Sequence, residues 1–440
     1  MTLNGRIRTS SIVAMLSRVL SAWHDPAARI LNLDLLAVLV VALLPWSTSG
    51  VSIGMIVWLA ALAPTIEPRA LLRSLMRPIS ILPIALFALA ALGTLWSDAP
   101  WGVRTYSLNP ATKLLVLPLL FYHFERSTRG MWVFTSFLVS CTLMMVMSWI
   151  VVLVPSLSFR QDDFERGIFV KNYIDQSQEF ALCAVALAYP IVTLLRQRKI
   201  APAALLIAIA SSFFVNMAFA IVSRTALVTV PVMLAVFALL HLRWRSLAMT
   251  VCATAAFALV AWEASPQLRR TAETFSRDYR LYKEQNAPTS IGLRLEFWRK
   301  SLQFFAEAPL IGHGTGSTRG LFEQVAKGNI DTATGQVIGN PHNQTLSVAV
   351  QWGIIGVTVL YAMWLLHLLL FRGDGLVNWI GLLVVVQNIF TSLFNSHIFD
   401  FHEGWMYVFG VGVAGGMALK AKSVEELTRS GRDRWHARGR

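Results

Sequence analysis

Long apolar runs alternate with short polar loops over most of the chain. A helix that crosses a bilayer needs roughly 20 mostly apolar residues, or a few fewer when it is packed within protein. Twelve runs meet this requirement, although the second, fourth and eighth are short enough to leave open a re-entrant segment. They lie near residues 33–49, 50–64, 79–96, 111–125, 131–155, 176–195, 203–222, 225–241, 246–263, 345–371, 376–394 and 402–419. The pattern predicts an all-α, polytopic integral membrane protein with about twelve transmembrane helices.

The composition supports this prediction. Of the 440 residues, 55% are apolar and only 14% are charged, and the mean hydropathy is +0.56. A soluble globule of this length would need more charged side chains to cover its surface, and a single core could not bury so much apolar surface. The same abundance of apolar residues excludes a disordered chain.

The positive charge is concentrated in loops that fall on one side of the membrane. The formal net charge is +14, and short cytoplasmic loops of membrane proteins carry an excess of Lys and Arg. We therefore predict that this side faces the cytoplasm, together with both termini, and that the protein does not bind nucleic acid. The basic segments are Arg69–Arg77, Arg126–Arg129, Arg196–Lys199, Arg243–Arg245, Arg372 and the tail after Lys420.

The longest polar segment, at residues 264–344, falls on the opposite, outer side. Thr289 and Ser290 precede apolar residues at helical spacing, and Pro309 follows them, so a helix is expected in between. We interpret the segment as a helical periplasmic cap. The predicted organisation is then a cytoplasmic arm at 1–32, transmembrane helices 1–9 at 33–263, the cap at 264–344, transmembrane helices 10–12 at 345–419, and a basic cytoplasmic tail at 420–440.

Two arginines and one histidine at the outer boundary are the main candidates for chemistry. Arg224 lies between two apolar helices, where an arginine either reaches lipid headgroups or binds an anion. Arg294, near the start of the cap helix, is either a solvated residue or part of the same anion site. His342 either caps the tenth transmembrane helix or takes up a proton at neutral pH. Together these three residues predict an anion clamp beside a general base.

Other polar groups on the outer side are weaker candidates. A charged loop is often simply solvated, whereas Asp400 can orient an imidazole or receive a hydroxyl proton. His313, within a glycine-rich turn, is interpreted as structural. The remaining groups are Arg160, Arg166 and Lys171 before the sixth run, and Asn395, His397 and His402 beside Asp400.

Motifs for metal or nucleotide chemistry do not occur in the sequence. It contains no Asp-x-Asp pair and no phosphate-binding Gly-x-x-x-x-Gly-Lys. The three cysteines, Cys141, Cys183 and Cys252, lie in apolar runs, which argues against disulfides and metal clusters. We predict a metal-independent reaction without a cofactor, in which arginines stabilise negative charge.

Several blocks of the sequence resemble bacterial O-antigen ligases. Pro341-His342-Asn343, followed after nine residues by Gly353 and then Gly356, is similar to the signature of that family. Two further blocks match in order. They are Ser223-Arg224-Thr225 after a membrane helix, and Arg294 with Trp298 upstream of Pro309-Leu310-Ile311-Gly312-His313-Gly314.

The resemblance implies a membrane glycosyltransferase with a fold of the GT-C type. Its donor would be O-antigen on undecaprenyl diphosphate, its acceptor lipid A-core, and its active site the periplasmic face of a Gram-negative inner membrane. His342 would be the catalytic base and Arg224 and Arg294 would bind the diphosphate, with further substrate contacts predicted for Asn343, Arg166, Lys171 and Asp400. An O-antigen polymerase or a protein O-oligosaccharyltransferase of the same superfamily remains an alternative, as does a transporter outside the enzyme class.

Overall fold

The computed structural model of the chain describes residues 25–159, 167–220, 223–326 and 330–438. Within its helices, the side chains of residues 224, 227, 246, 247, 250, 253, 267, 271, 427 and 429–438 are not described. These ranges contain α-helices and short 3₁₀ segments but no strand, which confirms the predicted all-α class. The first nine helices are α1 (Pro26–Leu43), α2 (Thr48–Leu62), α3 (Pro68–Leu75), α4 (Pro78–Leu92), α5 (Trp101–Leu108), α6 (Val116–Phe124), α7 (Gly130–Leu153), α8 (Tyr173–Ala186) and α9 (Ala188–Arg196). The others are α10 (Ile200–Phe219), α11 (Arg224–His241), α12 (Trp244–Ala264), α13 (Pro266–Gln285), α14 (Ser290–Glu307), α15 (Thr318–Val325), α16 (Gln344–Leu370), α17 (Leu376–Thr391) and α18 (Phe401–Arg438).

Six segments of the described chain are long and apolar enough to cross a membrane. A seventh arises if α3 and α4, which are bent by 79° relative to each other, form one broken span. The protein is therefore a helical membrane protein with several spans, as predicted, whereas the count of twelve stays a prediction. Other predicted runs fall on shorter helices, such as α6 and α17. The six segments are Pro26–Leu43, Thr48–Thr65, Gly130–Leu153, Tyr173–Arg196, Ile200–Phe219 and Gln344–Leu370.

The first and last helices differ from the predicted boundaries. Helix α1 begins at Pro26, inside the expected arm at 1–32, because Asp25 accepts a hydrogen bond from the Ala27 amide at 3.0 Å and proline fits the first helical turn. Helix α18 continues to Arg438, through the expected tail at 420–440. The tail contains no proline that would end the helix and is rich in residues with high helix propensity.

Loops that were predicted to be cytoplasmic meet at one end of the bundle. The Lys420 ammonium donates to the backbone carbonyls of Arg126 and Ser127, at 3.2 and 3.0 Å. The Arg77 guanidinium makes two hydrogen bonds of 2.8 Å to the Glu125 carboxylate. Basic segments far apart in sequence therefore share one face of the molecule, as the charge pattern requires.

Helix α16 is broken at Gly353, where φ is 61° and ψ is −157°. A break frees backbone carbonyls and amides, which must find other partners when water is excluded. A glycine-rich turn after α14 provides the donors on one side of the break. The amides of His313 and Gly314 donate to the carbonyls of Val350 and Gln351, at 2.9 and 2.8 Å.

The same turn provides acceptors for the other side of the break. The Ile354 amide donates to the Pro309 carbonyl at 2.8 Å. This close approach requires glycine on both partners: Gly312 has φ +64° and a Cβ there would lie 2.5 Å from the Gln351 carbonyl carbon. A Cβ on Gly353 would overlap the backbone of Leu310. The turn and the broken helix thus form one backbone unit.

We predict that Gly353→Ala destabilises the protein. Alanine disfavours the left-handed φ and its Cβ would overlap the Leu310 carbonyl, which should lower the free energy of unfolding by at least roughly 1–3 kcal/mol. Gly320→Ala is the matched control, because Gly320 lies in α15 and a Cβ there meets no atom within 4 Å. Thermal unfolding in detergent measures both variants, and equal melting temperatures would contradict the role assigned to the break.

Candidate functional site

His342 lies immediately before α16 in an unusual backbone conformation. Its φ is +53°, one of three positive values at non-glycine residues of the described chain. Such conformations cost roughly 1–3 kcal/mol and concentrate at functional sites. The Asn340 side chain stabilises this one by accepting a hydrogen bond from the His342 amide at 3.0 Å. The backbone conformation of His342 is therefore fixed independently of the contacts that its side chain makes.

The N-cap of α16 is Asn343, not His342. The Asn343 side chain accepts from the Leu346 amide at 3.0 Å and donates to the Leu393 carbonyl at 3.2 Å. The alternative interpretation of His342 as a helix cap therefore does not describe its geometry. Each end of the Asn343 amide therefore makes one bond within the protein, which leaves one donor and one lone pair for the predicted substrate contact.

The His342 imidazole is oriented by a chain of side-chain hydrogen bonds. Its Nδ1 lies 2.9 Å from Oδ1 of Asn395, and Nδ2 of Asn395 donates to Oδ2 of Asp400 at 2.5 Å. The amide oxygen only accepts, so His342 carries its proton on Nδ1. Among the described residues no group hydrogen-bonds to Nε2, which keeps its lone pair available.

The surroundings favour the neutral imidazole. Burial lowers the pKa of His342 below its usual 6.5, the hydrogen bond to Asn395 opposes this, and the positive charge of Arg294 lowers the pKa further. The ring of Phe297 lies against it, with centroids 6.2 Å apart. A neutral imidazole with an available Nε2 is the form that can accept a proton at neutral pH.

Arg294 faces the same site from α14. This helix begins as predicted, with Thr289 as the N-cap accepting from the Gly292 amide, and it ends at Glu307 just before Pro309. Arg294 contacts the Ser290 hydroxyl at 3.2 Å. Its charge also lowers the pKa of His397, a buried histidine in the loop after α17. The structure thus brings Arg294 and His342 together.

The predicted residues Arg224 and Arg166 are described incompletely or not at all. Arg224 is the first residue of α11, and Ser223 before it is buried. Helix α10 ends at Phe219, and the link between the two helices includes residues 221–222, which lie outside the described residues. The side chain of Arg224 and the whole of Arg166, like its neighbour Arg160, lie outside the described residues.

Lys171 differs from the solvated residue expected of an outer loop. Only 6% of it is exposed, and its ammonium lies 2.6 Å from Oε1 of Glu179 in α8, which is fully buried. The ion pair is a favourable arrangement because either charge alone would be costly in the interior. The predicted substrate contact of Lys171 would therefore require access to a side chain that is now almost fully buried.

A group of acids and bases lies close to His342, in which His397 and Glu403 are buried and Asp400 is half-buried. Burial raises the pKa of Asp400 to about 7 and lowers that of His397 to about 4. The Nε2 atom of His397 lies 3.9 Å from Oδ2 of Asp400 and 4.0 Å from Oε1 of Glu403. The three ligand atoms lie within 4.8 Å of one another, which is close enough to hold a metal ion. The Lys113 ammonium beside them donates to the backbone carbonyl of Asp400 at 2.5 Å. The metal-independent reaction therefore stays a prediction.

Sequence reasoning missed two residues that build the site. Asn340 supports the His342 backbone, and Asn395, noticed only as a neighbour of Asp400, orients its ring. Neither carries a charge or a distinctive local motif, and 55 residues separate them. Their position beside a proline-histidine pair and a His/Asp-rich loop is the only hint in the sequence.

An apolar cavity of about 1110 Å³ lies between α9, α10, α11 and α12. Its volume exceeds the roughly 300–1,000 Å³ of common ligand pockets. Leu195 and Leu242 line it near the basic end of the bundle, and Ala218 and Ser223 line it where α10 gives way to α11. The cavity thus extends through the bundle to the turn that carries Arg224.

Comparison with known proteins gives one family. A family model described as O-antigen ligase matches residues 209–361, about a third of the chain. The match contains Arg224, Arg294, His342 and the break at Gly353, whereas Asn395 and Asp400 lie beyond it. No curated protein matches the chain.

Proposed function

We propose that the chain is an O-antigen ligase, because the family model of that description matches residues 209–361, which include Arg224, Arg294 and His342. The reaction is transfer of O-antigen from undecaprenyl diphosphate to lipid A-core on the periplasmic face of a Gram-negative inner membrane. The observation that carries this proposal is the His342 imidazole, which Asn395 orients, while burial and the positive charge of Arg294 lower its pKa and favour the neutral base. The reaction requires a base that takes the proton of the acceptor hydroxyl and a positive charge that stabilises the anionic leaving group.

The mechanism is a single displacement without a metal. The acceptor hydroxyl oxygen attacks the anomeric carbon and its proton passes to Nε2 of His342, while the bond from that carbon to the diphosphate oxygen breaks. Arg294 and Arg224 stabilise the charge that develops on the leaving diphosphate. Because attack and departure occur on opposite faces, the configuration at the anomeric carbon inverts, and no covalent glycosyl enzyme forms.

The apolar cavity is the proposed binding site for the polyprenyl chain of the donor. It is lined almost entirely by apolar side chains and extends to Ser223, next to Arg224. A lipid tail in the cavity would present its diphosphate to the arginines. Membrane lipids of similar chemistry would fill the cavity between reaction cycles.

The proposed topology has twelve spans in a fold of the GT-C type, with both termini in the cytoplasm. The contacts of Lys420 with the loop at Arg126 support a common basic face, which the distribution of Lys and Arg assigns to the cytoplasm. His342 and Arg294 are not part of that face. A transporter would instead place its ionisable residues near the bilayer midplane, in line with a translocation path.

A reconstituted transfer assay tests the proposal against the other members of the superfamily. Purified protein in lipid nanodiscs receives the undecaprenyl-linked O-antigen together with lipid A-core, a protein acceptor or a second lipid-linked repeat. We expect a lipopolysaccharide product only with lipid A-core, and equal yield when EDTA is present. Product from another acceptor would identify a polymerase or a protein glycosyltransferase, and no covalent product from any acceptor would favour a transporter.

Replacing either arginine of the clamp should abolish most of the transfer. Arg294→Ala and Arg224→Ala each remove a guanidinium from the developing negative charge, and lysine should restore little because it cannot make two parallel bonds to a phosphate. Arg319→Ala is the control, since Arg319 is a cap arginine with 71% of its side chain exposed. Wild-type rates in the double variant Arg224→Ala/Arg294→Ala would remove both residues from the mechanism.

His342→Asn separates base catalysis from a structural role. Asparagine tolerates a positive φ, so this variant keeps the backbone while removing the base. Transfer should fall by roughly 10² to 10⁴, the usual contribution of general-base catalysis, while donor binding changes little. In the wild type, activity should fall in acid as pH drops through the pKa of His342, which lies below 6.5. Near-normal transfer by His342→Asn would exclude the base assignment.

A further inference from the structure

We propose that Asn395 is a positioning residue that fixes the tautomer of His342 without adding charge beside it. The proposal rests on the assignment of His342 as the base in the proposed function. It assigns a role in catalysis to the loop after α17, which lies outside the region that the family model matches. Asn395 acts through His342 and does not itself contact the reacting atoms.

The orientation of the Asn395 amide follows from its partners. The His342 backbone amide donates to the Asn340 oxygen, so the NH₂ group of Asn340 is the end that faces Asn395, at 3.1 Å. The facing atom of Asn395 is therefore its oxygen, which also receives the Nδ1 proton of His342 at 2.9 Å. The NH₂ group of Asn395 is then at its other end, 2.5 Å from Asp400. The His342 backbone amide thus fixes the orientation of both asparagines, and with it the tautomer of the His342 ring.

The loop that carries Asn395 is fixed to the start of α16. The Gln344 amide donates to the Ser392 carbonyl at 2.9 Å, and the Gln344 side chain accepts from the Ile398 amide at 2.9 Å. The Ser396 hydroxyl donates to Oδ1 of Asn340 at 2.7 Å. Because these bonds bracket Asn395 on both sides, its amide has little freedom to move relative to His342.

An amide has a specific advantage over a carboxylate at this position. A neutral imidazole accepts a proton on Nε2 only when Nδ1 carries the other proton, and an oxygen acceptor at Nδ1 selects this form. A carboxylate there would also select it, but its charge would stabilise the protonated ring. Asn395 separates the imidazole from Asp400, so that the ring is oriented while remaining a base that is neutral at neutral pH.

The charged and titratable neighbours of His342 set the expected pH behaviour. Arg294 approaches from α14, and His397 and Asp400 belong to the same loop as Asn395. Exchanging the two polar side chains, in Asn395→Asp/Asp400→Asn, keeps the hydrogen-bond pattern and the total charge. It moves the negative charge from the far side of the amide to the atom next to Nδ1.

The test compares two variants of purified, reconstituted protein. Asn395→Leu removes the acceptor but keeps a side chain of similar volume, and we expect the transfer rate to fall roughly 10- to 100-fold with an unchanged KM for the donor. The exchange variant should regain most of this rate at alkaline pH. The acid limb of its pH profile should move to higher pH, because the adjacent carboxylate favours the protonated imidazole. Thermal unfolding confirms that each variant is folded.

Each outcome bears on a different assignment. If His342→Asn transfers like the wild type, the base assignment is wrong and the positioning role is excluded with it. If His342→Asn loses transfer while Asn395→Leu does not, the base assignment stands and the positioning role is wrong. If the exchange variant regains the rate with an unshifted acid limb, Asn395 supports only the structure of the loop, which also overturns the proposal.

Discussion

The exchange of backbone hydrogen bonds between the glycine-rich turn and the broken helix α16 is the constraint on which the site depends. The break at Gly353 leaves amides and carbonyls without helical partners, and each such group costs several kcal/mol where water is excluded. The turn after α14 satisfies them with its own backbone. Since Gly312 and Gly353 allow the two backbones to approach so closely, neither segment can adopt its conformation without the other.

This unit explains why two residues far apart in sequence share one site. Helix α14 carries Arg294 and leads directly into the turn. His342 immediately precedes α16, the helix that contains the break. Fixing the turn to the break therefore fixes the arginine relative to the histidine. The same arrangement gives Arg294 two compatible effects, because the charge that would bind a diphosphate also lowers the pKa of the imidazole that must accept a proton.

The sequence predicted those features that have local causes. The cap helix was predicted from Thr289 and Pro309, and the all-α class from apolar runs. The break at Gly353 was not predicted, since the apolar pattern continues through it and one glycine within a helix is commonly tolerated. The ion pair of Lys171 and the role of Asn395 depend on contacts between segments that only the tertiary structure brings together. The span count stays open because short helices such as α6 are apolar yet too short to cross a bilayer alone.

The polar groups close to His342 must be compatible with an anionic donor. Fully ionised carboxylates there would repel a diphosphate and would raise the pKa of the imidazole. Two features limit both effects. Burial raises the pKa of Asp400 to about 7, so that much of this carboxyl group is neutral near that pH. The positively charged ammonium of Lys113 also lies close by, where it donates to the backbone carbonyl of Asp400. The amide of Asn395 then separates the remaining charge from His342. Asp400 therefore helps to orient His342 through Asn395 without placing a negative charge in direct contact with the imidazole, where it would raise the pKa of the ring.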